Sequence, residues 1–325
     1  MAPRLYFVFG LLFAAASAGS AQTLTLDHFN CYFTQGPPLS QPVELLDQFD
    51  TATDPTTGNV PLEHVTELTP FRFCNPVKKT AVSASGVVTT TPITHADAHL
   101  VMYRITNQPT TLRLVQVQNQ FTNSDGAALI TGPAVFLAVP SGKALLASTA
   151  PPSLPPVTTV EGELDHFKCY QVFSGPNVGA VVTLQDQFSP LSANGAGSPA
   201  LVLRPYLFCN PAVKVIPTTS TGANPLAGPP VTIPPTVPAG ITIVPILPNP
   251  PTPVNDQALH LVCYWIAARP QLQNISVFYD NQFTPIGTLP IAGSDLETLC
   301  VPSLKLRWNL LTSSPPGPAP SVRLP

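Results

Sequence analysis

Charged side chains are scarce: Asp, Glu, Lys and Arg make up 10% of the 325 residues, where about 25% is usual. Fourteen basic residues against 17 acidic ones give a net charge of -3, so no basic surface exists for a phosphate backbone and a nucleic-acid partner is excluded. Beyond the N-terminus no apolar run reaches the roughly 18 to 20 residues of a membrane-spanning helix; the best candidate, residues 241 to 248, is short and broken by Pro245. No long stretch repeats apolar residues every 3.6 positions, which leaves little room for helices. Standard catalytic signatures are missing as well: no Gly-x-Ser-x-Gly elbow, no His-Glu-x-x-His, no Walker-type phosphate loop and no EF-hand loop.

What is plentiful is proline, 42 residues, joined by 19 glycines. Together they are about 19% of the chain, below the roughly 25 to 30% of low-complexity sequence, and 44% of residues are hydrophobic, enough for a core. Residues 1–21 read as a secretory signal peptide: Arg4, an apolar run from Leu5 to Ala16, and small residues for cleavage after Ala18 or Ala21. The expected product is secreted, extracellular or periplasmic, in an oxidising setting where six cysteines form three disulfides.

The chain repeats itself at two levels. LDHFNCY (26 to 32), LLDQF (45 to 49) and FCNPVKK (73 to 79) return as LDHFKCY (164 to 170), LQDQF (184 to 188) and FCNPAVK (208 to 214). Each set is followed by a degenerate second copy, around HLVMY (99 to 103) and HLVCY (260 to 264). One unit is therefore His-x-x-Cys-Tyr, then Asp/Asn-Gln-Phe, then Cys-x-Pro-x-x-Lys. The repeated signature residues are His28, His99, His166 and His260; Tyr32, Tyr103, Tyr170 and Tyr264; and Lys79, Lys143, Lys214 and Lys305.

The cysteines follow the same units. Three units hold both positions, Cys31 with Cys74, Cys169 with Cys209 and Cys263 with Cys300, while the fourth has lost both together, to Met102 and Ala138. Paired loss is what contact between the two side chains predicts, and it selects one of fifteen connectivities. Close CxxC-type spacing is missing, so zinc is disfavoured. Val43 and Leu45, Val115 and Val117, Val182 and Leu184, Val277 and Tyr279 alternate toward each Gln-Phe, the period of a half-buried strand. Cysteine shares one strand face with Phe29, Leu100, Phe167 and Leu261; His and Tyr share the other. Pro76, Pro140, Pro211 and Pro302 are expected to end the third strand of each unit, because proline donates nothing to a ladder.

The histidines, two of them beside Asp27 and Asp165, are the obvious metal or catalytic candidates. Fourfold repetition argues instead for a fold signature, since a hydrogen-bonded strand histidine needs no ligand. Each repeated lysine reads as a solvated strand terminus or a charge partner for Asp47 or Asp186. Those aspartates become Asn119 and Asn281 in the other units, a swap that suits a hydrogen-bond acceptor in a turn or bulge and not a catalytic carboxylate. Asn274-Ile275-Ser276 fits a glycosylation sequon.

At HFKCY, DQF and FCNP, in that order, the chain resembles an uncharacterised family of secreted bacterial domains with an HFKCYKV-like start, a DQF strand and an LCNPxxK-like end, found in tandem copies. The resemblance covers residues 26 to 143 and 164 to 305. It implies an extracellular bacterial setting and supplies no catalytic residue.

The expectation is an all-β protein: two tandem β-sandwich or barrel-like domains, each from two related three-stranded halves, disulfide-stapled. The first repeat domain spans 22–146 and a proline-rich linker 147–162. The second spans 163–308 with a proline-rich insertion at 215–256, and a proline-rich tail occupies 309–325. The expected role is a non-catalytic structural or interaction protein of the envelope or extracellular space, with no cofactor, no metal and an extracellular protein or glycan as partner. The alternatives are a carbohydrate-binding accessory module using Trp265, Trp308 or the strand tyrosines, and a hydrolase with dispersed carboxylates.

Overall fold

The computed structural model of the chain describes residues 26–50, 63–83, 85–106, 108, 110–145, 164–188, 197–215, 254, 256–267, 275–292 and 297–311. The stretches read from the sequence as signal peptide and linker, the sequon asparagine, and nearly all of those read as insertion and tail lie outside these residues. Among the described residues there are sixteen strands and no helix.

Each unit supplies three principal strands. The first strands, carrying His-x-x-Cys/Met-Tyr, are β1 (Phe29–Thr34), β7 (His99–Arg104), β10 (Phe167–Ser174) and β13 (Leu259–Ala267). The second strands, leading into Gln-Phe, are β2 (Val43–Asp47), β8 (Arg113–Gln118), β11 (Ala180–Gln185) and β14 (Ile275–Asn281). The third strands are β4 (Thr69–Pro76), which resumes as β5 (Lys78–Val82), β9 (Ala127–Leu145), β12 (Ser198–Val215) and β16 (Glu297–Leu310). Three shorter additions are β3 (Glu63–Val65), β6 (Val88–Thr91) and β15 (Thr284–Ala292).

First and third strands alternate around a closed ring. β1 pairs with β4, β4 with β7, β7 with β9, β9 with β10, β10 with β12, β12 with β13, β13 with β16, and β16 returns to β1, all antiparallel. Eight strands make a barrel just wide enough to be filled by side chains. The filling comes from every strand of the ring: Phe29, Cys31, Cys74, Leu100, Met102, Ala138, Phe167, Cys169, Cys209, Leu261, Cys263 and Cys300 form one buried cluster. Disulfides join Cys31 to Cys74, Cys169 to Cys209 and Cys263 to Cys300 across directly opposed rungs. Met102 stands opposite Ala138 on the corresponding rung of the remaining unit.

A second core surrounds the first. Tyr32, Tyr103, Tyr170 and Tyr264 on the outer face of the ring pack with Val43, Leu45, Val115, Val117, Val182, Leu184 and Val277 from the second strands. Those strands are exchanged between opposite units: β2 pairs with the end of β12, β11 with β5, β8 with the end of β16, and β14 with the end of β9. The second strand of each unit is thus hydrogen-bonded to the unit two places away.

This exchange revises two expectations. The repeat halves do not form separate sheets, because the ring and the exchanged strands run through both. Nor do the prolines end the third strands, except at Pro76: β9, β12 and β16 run on past Pro140, Pro211 and Pro302. Each proline stands where its strand leaves one partner for another. On β12 the pairing with β13 ends at Cys209, opposite Leu261, and just after Pro211 the residue Ala212 already faces Asp47 of β2. A missing N–H is tolerated at that change of partner.

Candidate functional site

The Asp/Asn-Gln-Phe segment leaves the second strand in a turn. In all four units the side-chain oxygen of Asp or Asn accepts the Phe N–H two residues on: Phe49 to Asp47 at 2.8 Å, Phe121 to Asn119 at 2.9 Å, Phe188 to Asp186 at 2.9 Å and Phe283 to Asn281 at 3.0 Å. This Asx turn explains why the aromatic lies just beyond the strand rather than at its end.

Each turn locks onto two other units. The tyrosine two units away meets the Asp or Asn: Tyr170 donates to Asp47 at 2.8 Å and Tyr32 to Asp186 at 2.7 Å, while Asn281 donates to Tyr103 and Asn119 to Tyr264, each at 3.0 Å. Phe49, Phe188, Phe283 and Phe121 lie against the same tyrosine rings, with centroids 4.9 to 5.5 Å apart. The glutamine reaches the histidine of the preceding unit. Gln120 meets His28 at 2.7 Å, Gln282 meets His166, and Gln48 meets His260 at 3.4 Å; Gln187 instead donates to the Ala96 carbonyl at 3.5 Å. The lysine of the preceding unit covers the phenylalanine: Lys79 over Phe121, Lys143 over Phe188, Lys214 over Phe283 and Lys305 over Phe49, at 4.5 to 5.5 Å.

The lysines are therefore not solvated strand ends, since Lys79, Lys143 and Lys214 are 3%, 8% and 1% exposed. Burial lowers Lys79 and Lys305 to about 8 and Lys143 to about 7, with Asp186 opposing the shift at Lys143 and Asp47 opposing it at Lys305. All four histidines are buried and neutral. Burial and then the charge of a lysine lower His28 and His260 to about 3, and the same causes hold His99 and His166 well below the ordinary imidazole value. Asp27 accepts the backbone N–H groups of Thr94 and His95 at 2.8 and 2.7 Å, and Asp165 that of Asp256 at 3.0 Å. Both brace the loop that enters the next first strand.

One group of charges breaks the fourfold pattern and was not singled out from the sequence. Lys168, fully buried, pairs with Asp50 at 2.9 Å and with Glu63. Burial works against the Lys168 charge, but Asp47, Asp50 and Glu63 outweigh it and raise its pKa. Burial and then the neighbouring Asp47 raise Asp50 to about 7, despite Lys168. Its signal in the sequence was a departure from the repeat: between His and Tyr the four units carry Asn30, Val101, Lys168 and Val262.

Both tryptophan rings lie against other aromatic rings. Trp265 lies 4.0 Å from Tyr206 and under the Arg72 guanidinium, and Trp308 lies 4.9 Å from Phe49. Among the described residues no three His, Cys, Asp or Glu side chains are arranged to hold a metal ion, and no helix is long and apolar enough to cross a membrane. Comparison with protein families, curated proteins and solved structures finds no match to this chain.

Proposed function

We propose that the chain is a secreted, non-catalytic structural or interaction protein of the envelope or extracellular space. The observation that carries this reading is the use of the repeated polar signature: Asp/Asn, Gln, His, Tyr and Lys are turned onto one another between units, and the four histidines, the four tyrosines, three of the four lysines and the turn carboxylates Asp47 and Asp186 are buried. A group held in this way is not presented to a substrate. The three cross-strand disulfides are consistent with an oxidising compartment, and the signal-like N-terminus and the resemblance to secreted bacterial domains agree with it. The Asp47, Asp50 and Glu63 carboxylates, which a hydrolase would need free, are gathered around a fully buried lysine. The packing of Trp265 against Tyr206 and under Arg72 weakens the carbohydrate reading.

The test is a screen of the secreted, oxidised chain against glycoside, ester and peptide substrates, alongside a glycan array. No turnover is expected. Turnover that disappears in Glu63→Gln while the unfolding midpoint is unchanged would overturn the reading, and a saturable glycan signal lost in Trp265→Ala would replace it with the carbohydrate-binding one.

A further inference from the structure

The β6 arm of the β5–β6 hairpin is the one addition to the fourfold plan that gives the chain's core almost nothing. It turns at Gly86, whose φ of 79° suits glycine, and it returns as Val88, Thr89, Thr90 and Thr91, of which the first three are exposed. Fixing a strand costs conformational entropy, and a ribbon without a buried face is marginal in water. Yet β6 forms, and it ends the sheet.

Only β3 and β6, among the described strands, have a neighbour on one side alone. β3 has three residues and carries Glu63 and His64. β6 has none of the usual protections of an edge: from Gly86 to Thr91 there is no charge, no bulge and no proline. Beside it lies an apolar row that crosses three strands, since Val88 faces Val82 and the β11 register continues the row to Val181. These three valines and Val87 are 60 to 62% exposed, and they are half of the exposed large hydrophobic residues described.

The edge also has a defined hydrogen-bonding pattern. Ser83 donates to the Val87 carbonyl at 2.9 Å, so the next rung, Val82 with Val88, is a non-hydrogen-bonded one, and alternation makes Thr80 with Thr90 another. The N–H and C=O groups of Val88 and Thr90 consequently point away from β5, into solvent.

We infer that β6 is a homotypic docking edge, where two copies of this chain join antiparallel across a two-fold axis at Thr89. Val88 of one copy then exchanges both backbone hydrogen bonds with Thr90 of the other, and the reverse, giving a symmetric, self-complementary contact. A second copy is favoured over a foreign strand by charge. An identical uncharged edge meets no like-charge repulsion, whereas a charged peptide finds no counter-charge between Val87 and Thr91. Pairing extends both sheets into one and adds the partner's β-branched side chains to the exposed valine row. This inference does not depend on the non-catalytic reading.

Sedimentation equilibrium of the secreted, oxidised chain between about 1 and 500 μM tests it. A monomer–dimer equilibrium is expected. Thr90→Pro removes an N–H that the hairpin does not use, and it should weaken the dimer at least tenfold with the near-ultraviolet spectrum and disulfides unchanged. Val88→Lys, at a side chain 62% exposed in the monomer, should do the same without altering the backbone. A monomer throughout the range overturns the inference and leaves the edge to another extended partner. A dimer of unchanged affinity in the folded variants places the interface elsewhere and overturns it equally.

Discussion

A histidine that remains neutral inside the fold is a stability device with a sign. His28 and His260 titrate near 3, and His99 and His166 well below 6.5, so below the ordinary value the unfolded chain binds protons that the native chain refuses. Their contribution is complete above about pH 6.5 and is lost as pH falls, each proton giving a slope of about 1.4 kcal/mol per pH unit. Asp50 acts oppositely. Raised to about 7, it keeps a proton that the unfolded chain releases above its ordinary value of 3.8, and so removes stability as pH rises between the two. Four histidines outweigh one aspartate, so stability is expected to climb from pH 4 to pH 6.5 in urea unfolding. Asp50→Asn should steepen that climb by about one proton, and His99→Gln should flatten it by about one. Asp47→Asn tests the turn itself. Asp47 accepts from Tyr170, from Asn210 and from the Phe49 N–H, and an amide cannot accept at every one of these, so a loss of about 1 to 3 kcal/mol is expected.

The elements show why the unit without cysteines survives. Met102 and Ala138 occupy a rung equivalent to the cystine rungs and keep the interior filled, so packing there replaces a covalent link. Met102→Cys with Ala138→Cys is expected to close a fourth disulfide. Its closed loop is near the native separations of 37 to 43 residues, and the chain-entropy estimate is about 4 kcal/mol. Non-reducing peptide mapping and the urea midpoint check both. Strand identity was legible in advance for a physical reason: Val43 and Leu45, or Val182 and Leu184, alternate because one face of their strand is buried. The passage of strands beyond Pro140, Pro211 and Pro302 was not legible. A proline reports a missing donor, and only the neighbouring strands decide whether that donor was needed.

At the scale of the molecule, the exchange of second strands makes each half depend on the other. Asp47 and Phe49 of the first half dock on Tyr170 of the second, and Asp186 and Phe188 dock on Tyr32 of the first. Residues 22–146 expressed alone therefore lack the tyrosine partners of their own turns and expose both edges of an opened barrel, β1 and β9. They are expected to show no cooperative unfolding and little near-ultraviolet ellipticity. Mixed with 163–308 under oxidising refolding they should regain both, as size exclusion and circular dichroism would show. Two stable, independent halves would mean that the interlock contributes little.

Local chemistry was written in the chain itself: extended strands from alternating apolar residues, disulfides from paired presence and absence of cysteine, and turns from an aspartate that asparagine can replace. These depend on neighbours in sequence or on a two-residue rule repeated four times, so the letters suffice. Which unit receives which turn, why a lysine three places after a proline is buried over a phenylalanine, and how four units close one barrel depend on contacts between residues as far apart as Asn30 and Asp186, 156 positions away. Nothing in a repeat distinguishes its own copy from the copy across the ring. Closure decides, because only with all four units in place do the first and last strands meet and leave no open edge in the barrel.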